Sequence, residues 1–414
     1  MLGQVAIIFP EYWAGIHLPS LVPYVALLGI IVFILAIVPG LIWIERVVIA
    51  LMQDRSGPNR VGPRGLLQTI ADGVKLFFKE DFRPRSVDIR IYYLAPVISM
   101  IPALAGGAVL PLQRLTFERP DGTTYQMPLM VGNVNIGLLY ILAMSSLAVY
   151  GVVLAGWSSN NKYSLLGGLR GSAQLISYEL SMGLSLLCVI VMAGSLNLDS
   201  IVATQNVLPP GIHSGFEWLR GSIFSWYWLR SLFVPVSIFT IAMIAETNRA
   251  PFDLPEAESE LIAGFHTEFS SMKFAMFFMG EYAAMLTISG LNAAMFWGGW
   301  LPPLNIVPFT WIPGWIWFVG KVMFGIFFYV WLRATLPRLR YDALMALGWK
   351  RMLPLALVWL FVMAVVTLYF QPINATAARP VPPVQAQAAP APRAASAPAP
   401  LPTLSAAAPP ATKP

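Results

Sequence analysis

The chain has 414 residues, of which 57% are hydrophobic and only 11% are charged, well below the roughly 25% of a soluble domain. Its formal net charge is +6, but the basic residues are concentrated in alternate loops, as membrane topology requires, which argues against a nucleic-acid partner. One cysteine, Cys188, and three widely separated histidines exclude a disulfide framework and predict no metal site or iron–sulfur cluster in this chain.

Apolar segments of membrane-spanning length recur along the chain and predict an all-α, polytopic membrane protein. A helix needs about 20 apolar residues to cross a hydrocarbon core of about 30 Å. We count eight candidate spans, at 22–44, 92–112, 136–156, 174–195, 228–247, 275–291, 313–334 and 353–371. The sixth span is short and contains Glu281, and the seventh contains Lys321, whose partner cannot be read from the sequence.

The spans and their loops predict three regions and an orientation. The regions are an N-terminal non-cytoplasmic segment at 1–21, a transmembrane helical domain at 22–372 and an Ala/Pro-rich tail at 373–414. The tail has no periodic apolar face and is predicted to be disordered. Lys and Arg are enriched in the odd-numbered loops, with nine of them in loop 45–91. The positive-inside rule therefore predicts that these loops are cytoplasmic and that both termini lie on the other side.

The first cytoplasmic loop contains a predicted amphipathic helix after the turn-rich motif GPNRVGPRG at 57–65. Apolar side chains recur there at helical spacing: Leu66, Ile70, Val74, Phe77 and Phe78. Polar side chains take the other face: Gln68, Asp72, Lys75 and Lys79. This pattern favours a helix lying in the membrane interface over an ordinary surface helix. The basic loop as a whole suits either anionic lipid or the docking of a soluble partner.

Six carboxylates crowd the stretch from Glu246 to Glu268, at the end of the fifth predicted span and in the third cytoplasmic loop, within the segment AETNRAPFDLPEAESELIAGFHTEF at 245–269. Clustered ionisable groups beside hydrocarbon usually mark a proton, ion or substrate path. Helix capping is the simpler alternative, because Pro255 and Asp253 suit the start of a helix and acids are favoured in a first turn. Capping accounts for only two or three of the acids, so we favour proton handling. His266 lies in the same stretch and is interpreted as a hydrogen-bonding residue.

Two further acids lie inside predicted spans, Glu179 in the fourth and Glu281 in the sixth. A charged carboxylate at mid-bilayer costs on the order of 2.5–3.5 kcal/mol, so each should face the bundle interior. Glu179 could be a neutral acid hydrogen-bonded to a neighbouring helix, and Glu281 could pair with a nearby Lys or Arg. Two local ion pairs are also open, Glu45 with Arg46 and Glu246 with Arg249.

Long motifs in the chain resemble those of one family. They are ERVVIALMQDRSGPNRVGPRGLLQTIADGVKLFFKED (45–81), RGSAQLISYELSMGLSLL (170–187), AETNRAPFDLPEAESELIAGFHTEFSSMKFAMFFMGEYAAM (245–285) and LPRLRYDALMALGWKRMLPLAL (336–357). They resemble the H subunit of bacterial proton-pumping NADH:quinone oxidoreductase, respiratory complex I. The likeness covers most of residues 20–372, and the tail departs from it because family members commonly end soon after the last helix.

The resemblance implies a role as well as a place. The chain would be a subunit of this enzyme in the bacterial inner membrane, with both termini periplasmic, and would form much of the tunnel through which quinone, the substrate, reaches the terminal iron–sulfur cluster. That cluster, the other iron–sulfur clusters, flavin mononucleotide and NADH would all belong to peripheral-arm partner subunits, so this chain would carry no redox cofactor. Other membrane-arm subunits and phospholipid would be further partners.

The resemblance also implies roles for individual residues. Residues implicated in a proton relay toward the pumping subunits are Glu179, Glu246, Glu256, Glu258, Glu260 and Glu281. Residues implicated in the quinone cavity or its supporting shell are Arg46, Arg55, Arg249 and Asp253.

Three other functions remain open at this stage. A homologous membrane subunit of an energy-converting hydrogenase-type complex would keep the acidic path without a quinone tunnel, and the electron-input partners would distinguish it. A stand-alone ion-coupled transporter would show inverted repeats and broken helices in matching halves. A purely structural membrane anchor would not need the costly Glu179 and Glu281.

Overall fold

A computed structural model describes residues 12–13, 16–17, 22–118, 124–207, 220–255 and 258–374. The chain up to Pro372 forms one packed unit, and a separate unit begins at Ile373. The predicted N-terminal segment and tail lie almost wholly outside the described residues, so the division of the chain into three regions stays a prediction.

Helices dominate the described residues. In chain order they are α1 (Val22–Met52), α2 (Gln68–Phe78), α3 (Ile89–Gly106), α4 (Gly137–Ser158), α5 (Lys162–Ala193), α6 (Leu198–Thr204), α7 (Tyr227–Arg230), α8 (Val234–Glu246), α9 (Glu258–Leu261), α10 (Ser271–Phe296), α11 (Gly314–Thr335), α12 (Tyr341–Ala346) and α13 (Leu353–Asn374). A π-helical segment, Leu347–Met352, joins α12 to α13. The strands are β1 (Tyr12–Trp13), β2 (Ile16–His17), β3 (Gln113–Glu118) and β4 (Thr124–Leu129).

Each predicted span coincides with one of these helices, in order α1, α3, α4, α5, α8, α10, α11 and α13. Six helical stretches of the described residues are long and apolar enough to cross a membrane: Ile89–Val109, Gly137–Ser158, Lys162–Ala193, Ser271–Phe296, Gly314–Thr335 and Tyr341–Tyr369. The helix α8 is apolar but has only 13 residues. The all-α, polytopic class is therefore confirmed, whereas the count of eight spans stays a prediction.

The fourth helix of the predicted bundle begins earlier than its apolar run. Residues 162–173 were predicted to be loop, but α5 starts at Lys162, where the Asn161 side chain accepts a hydrogen bond from the Tyr163 N–H at 3.0 Å. The glycine-rich stretch stays helical because its small residues permit close packing. A Cβ at Gly167 would lie only 2.8 Å from the Cα of Gly264. Tertiary packing thus overrides the local tendency of glycine to break a helix.

A β-hairpin was not predicted. Strands β3 and β4 pair antiparallel, from Gln113 opposite Leu129 to Glu118 opposite Thr124. The sequence carried a signal for it, because Asp121-Gly122 between two stretches that alternate polar and apolar residues favours a hairpin. We interpreted the segment as a loop because long apolar spans lie on both sides of it.

The long helix α10 occupies the centre of the bundle. It packs against α3 on one side and α11 on another, while α4 packs against both α3 and α5, and α8 packs on α5. Buried aromatic rings fill the space between these helices, including Tyr178, Phe239 and Phe296. Because α10 contacts several other helices, including α1, α3, α8 and α11, polar side chains on it can reach more than one helix.

Candidate functional site

A large cavity of about 1010 Å³ lies between α1, α2, α10 and the end of α11, and we call it the large cavity. Most of its wall is apolar, but charged side chains from three helices and the loop after α1 also line it: Glu45, Arg46, Arg55, Asp72 and Arg333. Arg46 Nη1 pairs with Asp72 Oδ2 at 2.6 Å and so joins α1 to α2. The structure therefore places Arg46 and Arg55, two predicted quinone-cavity residues, at one cavity.

The turn-rich motif explains how the loop after α1 reaches this cavity. Gly65 has a φ of +70°, and a Cβ there would collide with the backbone of Pro58. Only glycine tolerates both the left-handed conformation and this approach. The chain can therefore fold back on itself, which places Gly57 and Pro58 in the cavity wall and starts α2 beside α1.

Glu45 is the most heavily paired acid of the large cavity and is only 5% exposed. Its carboxylate pairs with Arg333 and lies 3.4 Å from Arg249 Nη1. The Tyr282 hydroxyl donates a further hydrogen bond to it at 2.6 Å. The local pair of Glu45 with Arg46, left open from the sequence, is therefore not what forms, because Arg46 binds Asp72 and Glu45 faces the interior.

Arg249 is shared between two acids. Its Nε lies 2.6 Å from Glu281 Oε1, and its guanidinium stacks over the Tyr282 ring at 4.4 Å from the centroid. Burial lowers the pKa of Arg249, but Glu281, Tyr282 and Glu45 outweigh it, so the pKa lies above its ordinary value. Glu281 thus has the arginine partner considered as its alternative, and Arg249 reaches across the bundle to two other helices.

A second, small cavity of about 100 Å³ is lined by Glu281, the acid that Arg249 contacts. Three titratable side chains line it: Glu246, His266 and Glu281. Glu179 is half-buried on α5, close enough to Glu246 for their charges to repel. Ser145 and Ser146 of α4 donate hydrogen bonds to Glu179, the former at 3.3 Å. This agrees with the hydrogen-bonded alternative for Glu179.

Together these contacts form one buried sequence of charged groups. It begins at the large cavity with Glu45, passes through Arg249 to Glu281, and continues along the small cavity to Glu246 and Glu179. We call it the carboxylate chain. Its four acids lie on four different helices and its one arginine lies in the loop after α8, so it is the fold that brings them together.

Other predicted site residues are placed apart from the carboxylate chain. Glu260 pairs with Arg170 at 2.6 Å, and its side chain is 47% exposed. Asp253 pairs with Arg338 at 3.1 Å, which ties the acidic loop to the loop after α11. Glu256 lies outside the described residues, and Glu258 is described only through the backbone of α9. The acidic stretch therefore does not act as a single cluster among its described residues.

Sequence reasoning missed three members of the site. Glu45, Tyr282 and Arg333 meet across separations of 237 and 288 positions. No spacing rule operates over such separations. A local signal existed only for Tyr282, which follows an acid inside an apolar span.

Lys321, the lysine inside the seventh predicted span, has partners far from this site. Its ammonium donates to the backbone carbonyls of Gly299 at 2.8 Å and Leu301 at 2.7 Å. It also lies 4.0 Å from the centroid of the Trp226 ring. Carbonyl dipoles and a π face thus stabilise its charge, and both carbonyls lie just beyond the end of α10.

Comparison with known proteins agrees with the motifs. The profile of the NADH dehydrogenase family matches residues 25–364. The H subunit of the NADH-quinone oxidoreductase of Rhodospirillum rubrum is 45% identical over 354 residues, which cover 86% of this chain and 96% of that protein. The corresponding protein of Rhodospirillum centenum is 44% identical over 355 residues, with the same coverage. That of Rickettsia canadensis is 46% identical over 347 residues, covering 84% of this chain and 94% of that protein.

These matches span nearly all of the described helices, and they confirm the resemblance found in the motifs. The chain therefore belongs to the NADH dehydrogenase family, among the H subunits of NADH-quinone oxidoreductases, which are membrane subunits of an oxidoreductase complex.

Proposed function

We propose that the large cavity admits the quinone of an NADH-quinone oxidoreductase and that the carboxylate chain relays the resulting protonation changes toward proton-pumping subunits. One observation carries this proposal: a large, mainly apolar cavity touches Glu45, the first member of a buried series of ionisable groups that leads away from it. An apolar wall with a few converging polar groups is what a lipophilic ligand requires.

The cavity wall suits both the oxidised and the reduced form of such a ligand. Electrons would arrive from the iron–sulfur cluster of a peripheral-arm subunit, so this chain would supply binding and charge compensation. Arg46 and Arg55 stand where negative charge would develop during reduction. Fixed cations that face a developing negative charge stabilise it strongly at a site that excludes water.

Arg249 would transmit the electrical change. Negative charge beside Glu45 favours protonation of that acid and draws Arg249 and Arg333 toward the large cavity. Any weakening of the contact between Arg249 and Glu281 makes Glu281 easier to protonate, and the change continues to Glu246 and Glu179. Other membrane-arm subunits would receive it beyond Glu179, on the α4 and α5 side of the bundle.

Filling the large cavity should block quinone use. Gly73 of α2 lines this cavity, and a Cβ there would meet no atom within 4 Å. Gly73→Leu therefore fills space without a clash and favours the helix by somewhat under about 1 kcal/mol. In the assembled complex we expect the quinone KM to rise about tenfold or more, equivalent to about 1.4 kcal/mol of lost binding. NADH oxidation by a water-soluble artificial acceptor should not change.

Gly320→Leu is the matched control. Gly320 is exposed on α11, and a Cβ there also meets nothing within 4 Å. Native quinone kinetics in Gly73→Leu, or equal losses in both variants, would contradict the assignment of the cavity.

We further propose that α2 lies in the cytoplasmic membrane interface against phospholipid. Thr69, Asp72 and Gly73 face the large cavity, whereas Phe77 and Phe78 are exposed on another face. Lys75 lies on a third face and Lys79 follows directly after the helix, as an interfacial helix with its lysines toward water and headgroups would require. Such a helix would let a quinone enter from the bilayer beside α1.

Phe78→Asp tests the membrane position of α2. The Phe78 ring is 80% exposed, so the variant should fold normally while losing an apolar contact with lipid. Turnover with a long-chain, lipid-borne quinone should fall about tenfold, in line with roughly 1.5–3 kcal/mol for burying a large apolar side chain. Turnover with a short-chain, water-soluble quinone should be retained. Equal turnover of Phe78→Asp and Phe78→Leu with the long-chain quinone would exclude this role.

Orientation in the membrane decides which partners the loops can meet. The basic loops between α1 and α3 and after α11 would face the cytoplasm and the peripheral-arm subunits, with both termini periplasmic in the inner membrane. Labelling single cysteines placed at Arg60 and at Ile306 with an impermeant reagent checks this. Labelling of position 60 from the periplasmic side of intact cells would contradict this orientation.

A further inference from the structure

His266 sits in a tightly held turn between α9 and α10. It ends the 3₁₀ segment Gly264–His266 and is only 6% exposed. The Ser164 hydroxyl donates to the Phe265 carbonyl at 3.2 Å, and Gly167 of α5 allows the Gly264 backbone to approach closely. The imidazole is therefore positioned by α5 from one side and by α10 from the other.

Phenylalanine rings surround this imidazole. Its centroid lies 5.5 Å from that of Phe274, 5.3 Å from Phe277 and 5.9 Å from Phe278. Phe274 and Phe278 also line the large cavity, whereas His266 and Phe277 line the small one. These rings thus form an aromatic partition between the two cavities, and close-packed rings of this kind leave little room for water.

Besides His266, the ionisable side chains that line the small cavity are both acids. Glu246 at the end of α8 and Glu281 on α10 line the same cavity as His266. The side chains that α3, α4 and α5 contribute to that cavity are uncharged, among them Ser99, Ser145 and Leu175. An imidazole that shares a confined cavity with two acids is placed to accept a proton from them, a role that histidine commonly fills in proton shuttles.

We propose that His266 accepts a proton from the carboxylate chain when negative charge forms in the large cavity, across a partition that blocks direct proton passage. This deepens the proposed function and rests on it. In the step, the O–H bond of a protonated Glu246 breaks and an N–H bond forms on the neutral imidazole, with no electron transferred. The imidazolium then balances the charge of the reduced quinone one ring away. The reduced quinone takes up its own two protons from the large-cavity side, and once its charge is gone the imidazolium returns its proton to Glu246.

The first test replaces the imidazole by a neutral amide in the assembled complex. In His266→Gln, quinone turnover should fall on the order of 100-fold, the lower range for loss of a proton-transfer group, with little change in quinone KM. The pH–rate profile of the variant should differ in shape from the native one, because a proton-accepting group is lost. His266→Asn should reproduce both results, and NADH oxidation by an artificial acceptor reports assembly.

The second test opens the partition. Phe278→Ala should lower the number of protons pumped per electron in proteoliposomes, because water in the gap then lets protons of the carboxylate chain reach the quinone directly. Phe361→Ala, at a position of α13 that is 72% exposed and lines neither cavity, should leave that ratio unchanged. If turnover and pH profile of both His266 variants match the native complex, or Phe278→Ala keeps the native ratio, the role of His266 is refuted. Gly73→Leu would still decide the quinone cavity independently.

Discussion

Arg249→Met should abolish quinone reduction and destabilise the subunit. The substitution keeps the length of the side chain but leaves Glu281 without its contact at 2.6 Å and removes one of the two cations beside Glu45. Breaking a buried ion pair by removing one partner costs about 3–5 kcal/mol, because the remaining charge is left uncompensated in the interior. Both the amount of assembled complex and its quinone reductase rate should fall, measured against NADH oxidation by an artificial acceptor.

Arg340→Met provides the matched control. Arg340 pairs with Asp342 at 3.2 Å, but both side chains are strongly exposed, and such surface pairs contribute only about 0–1 kcal/mol. Arg249→Lys separates charge from geometry, since it keeps the cation but cannot reach both acids with a planar fork. Native activity in Arg249→Met would mean that the two cavities are not coupled through this arginine.

Glu281→Gln should uncouple the complex with less damage to assembly. The amide is nearly the same size as the carboxylate and still accepts a hydrogen bond from Arg249, and Glu45 remains to balance the cation. Because the amide cannot take up a proton, coupled quinone turnover should fall on the order of 100-fold. Proton pumping, followed by a pH-sensitive dye in proteoliposomes, should fall at least as far.

Glu260→Gln is the companion variant. Glu260 forms a half-exposed pair with Arg170, so its loss should cost no more than about 1 kcal/mol and leave pumping close to native. A strong defect in Glu260→Gln together with normal pumping in Glu281→Gln would indicate that the relay runs through the acidic loop and not through α10.

Much of the fold could be predicted because apolar runs and glutamates inside spans carry local information. The helices α10 and α11 appear within a few residues of their predicted bounds, and Glu179 and Glu281 face the interior as the cost of a lipid-facing charge requires. The start of α5 was wrong because the glycines at 167 and 168 serve close packing with distant residues. The hairpin β3–β4 was missed although Asp121-Gly122 favoured it.

The site was harder to predict than the fold. A pair of Arg249 with Glu246, three positions away, was left open, but the chain leaves the helix after Glu246 and the arginine turns toward Glu45 and Glu281. His266 was interpreted as a hydrogen-bonding residue because the acidic loop by itself does not show that Phe274, Phe277 and Phe278 of α10 pack around it. Contacts between separate elements decide both cases, and a single sequence does not display them.

The sharing of one guanidinium by two acids also constrains how this subunit can evolve. Loss of Arg249 alone leaves Glu281 without its cation and Glu45 with Arg333 alone, whereas loss of one acid is milder because the other acid still balances Arg249. A step that removes the arginine first passes through a poorly folding intermediate, and a step that removes an acid first keeps the fold but loses activity. A concerted replacement of all three by apolar residues would be stable but inactive. We expect this trio to change together or not at all among descendants of the lineage, a form of strong epistasis that deep mutational scanning of pairs and triples would reveal.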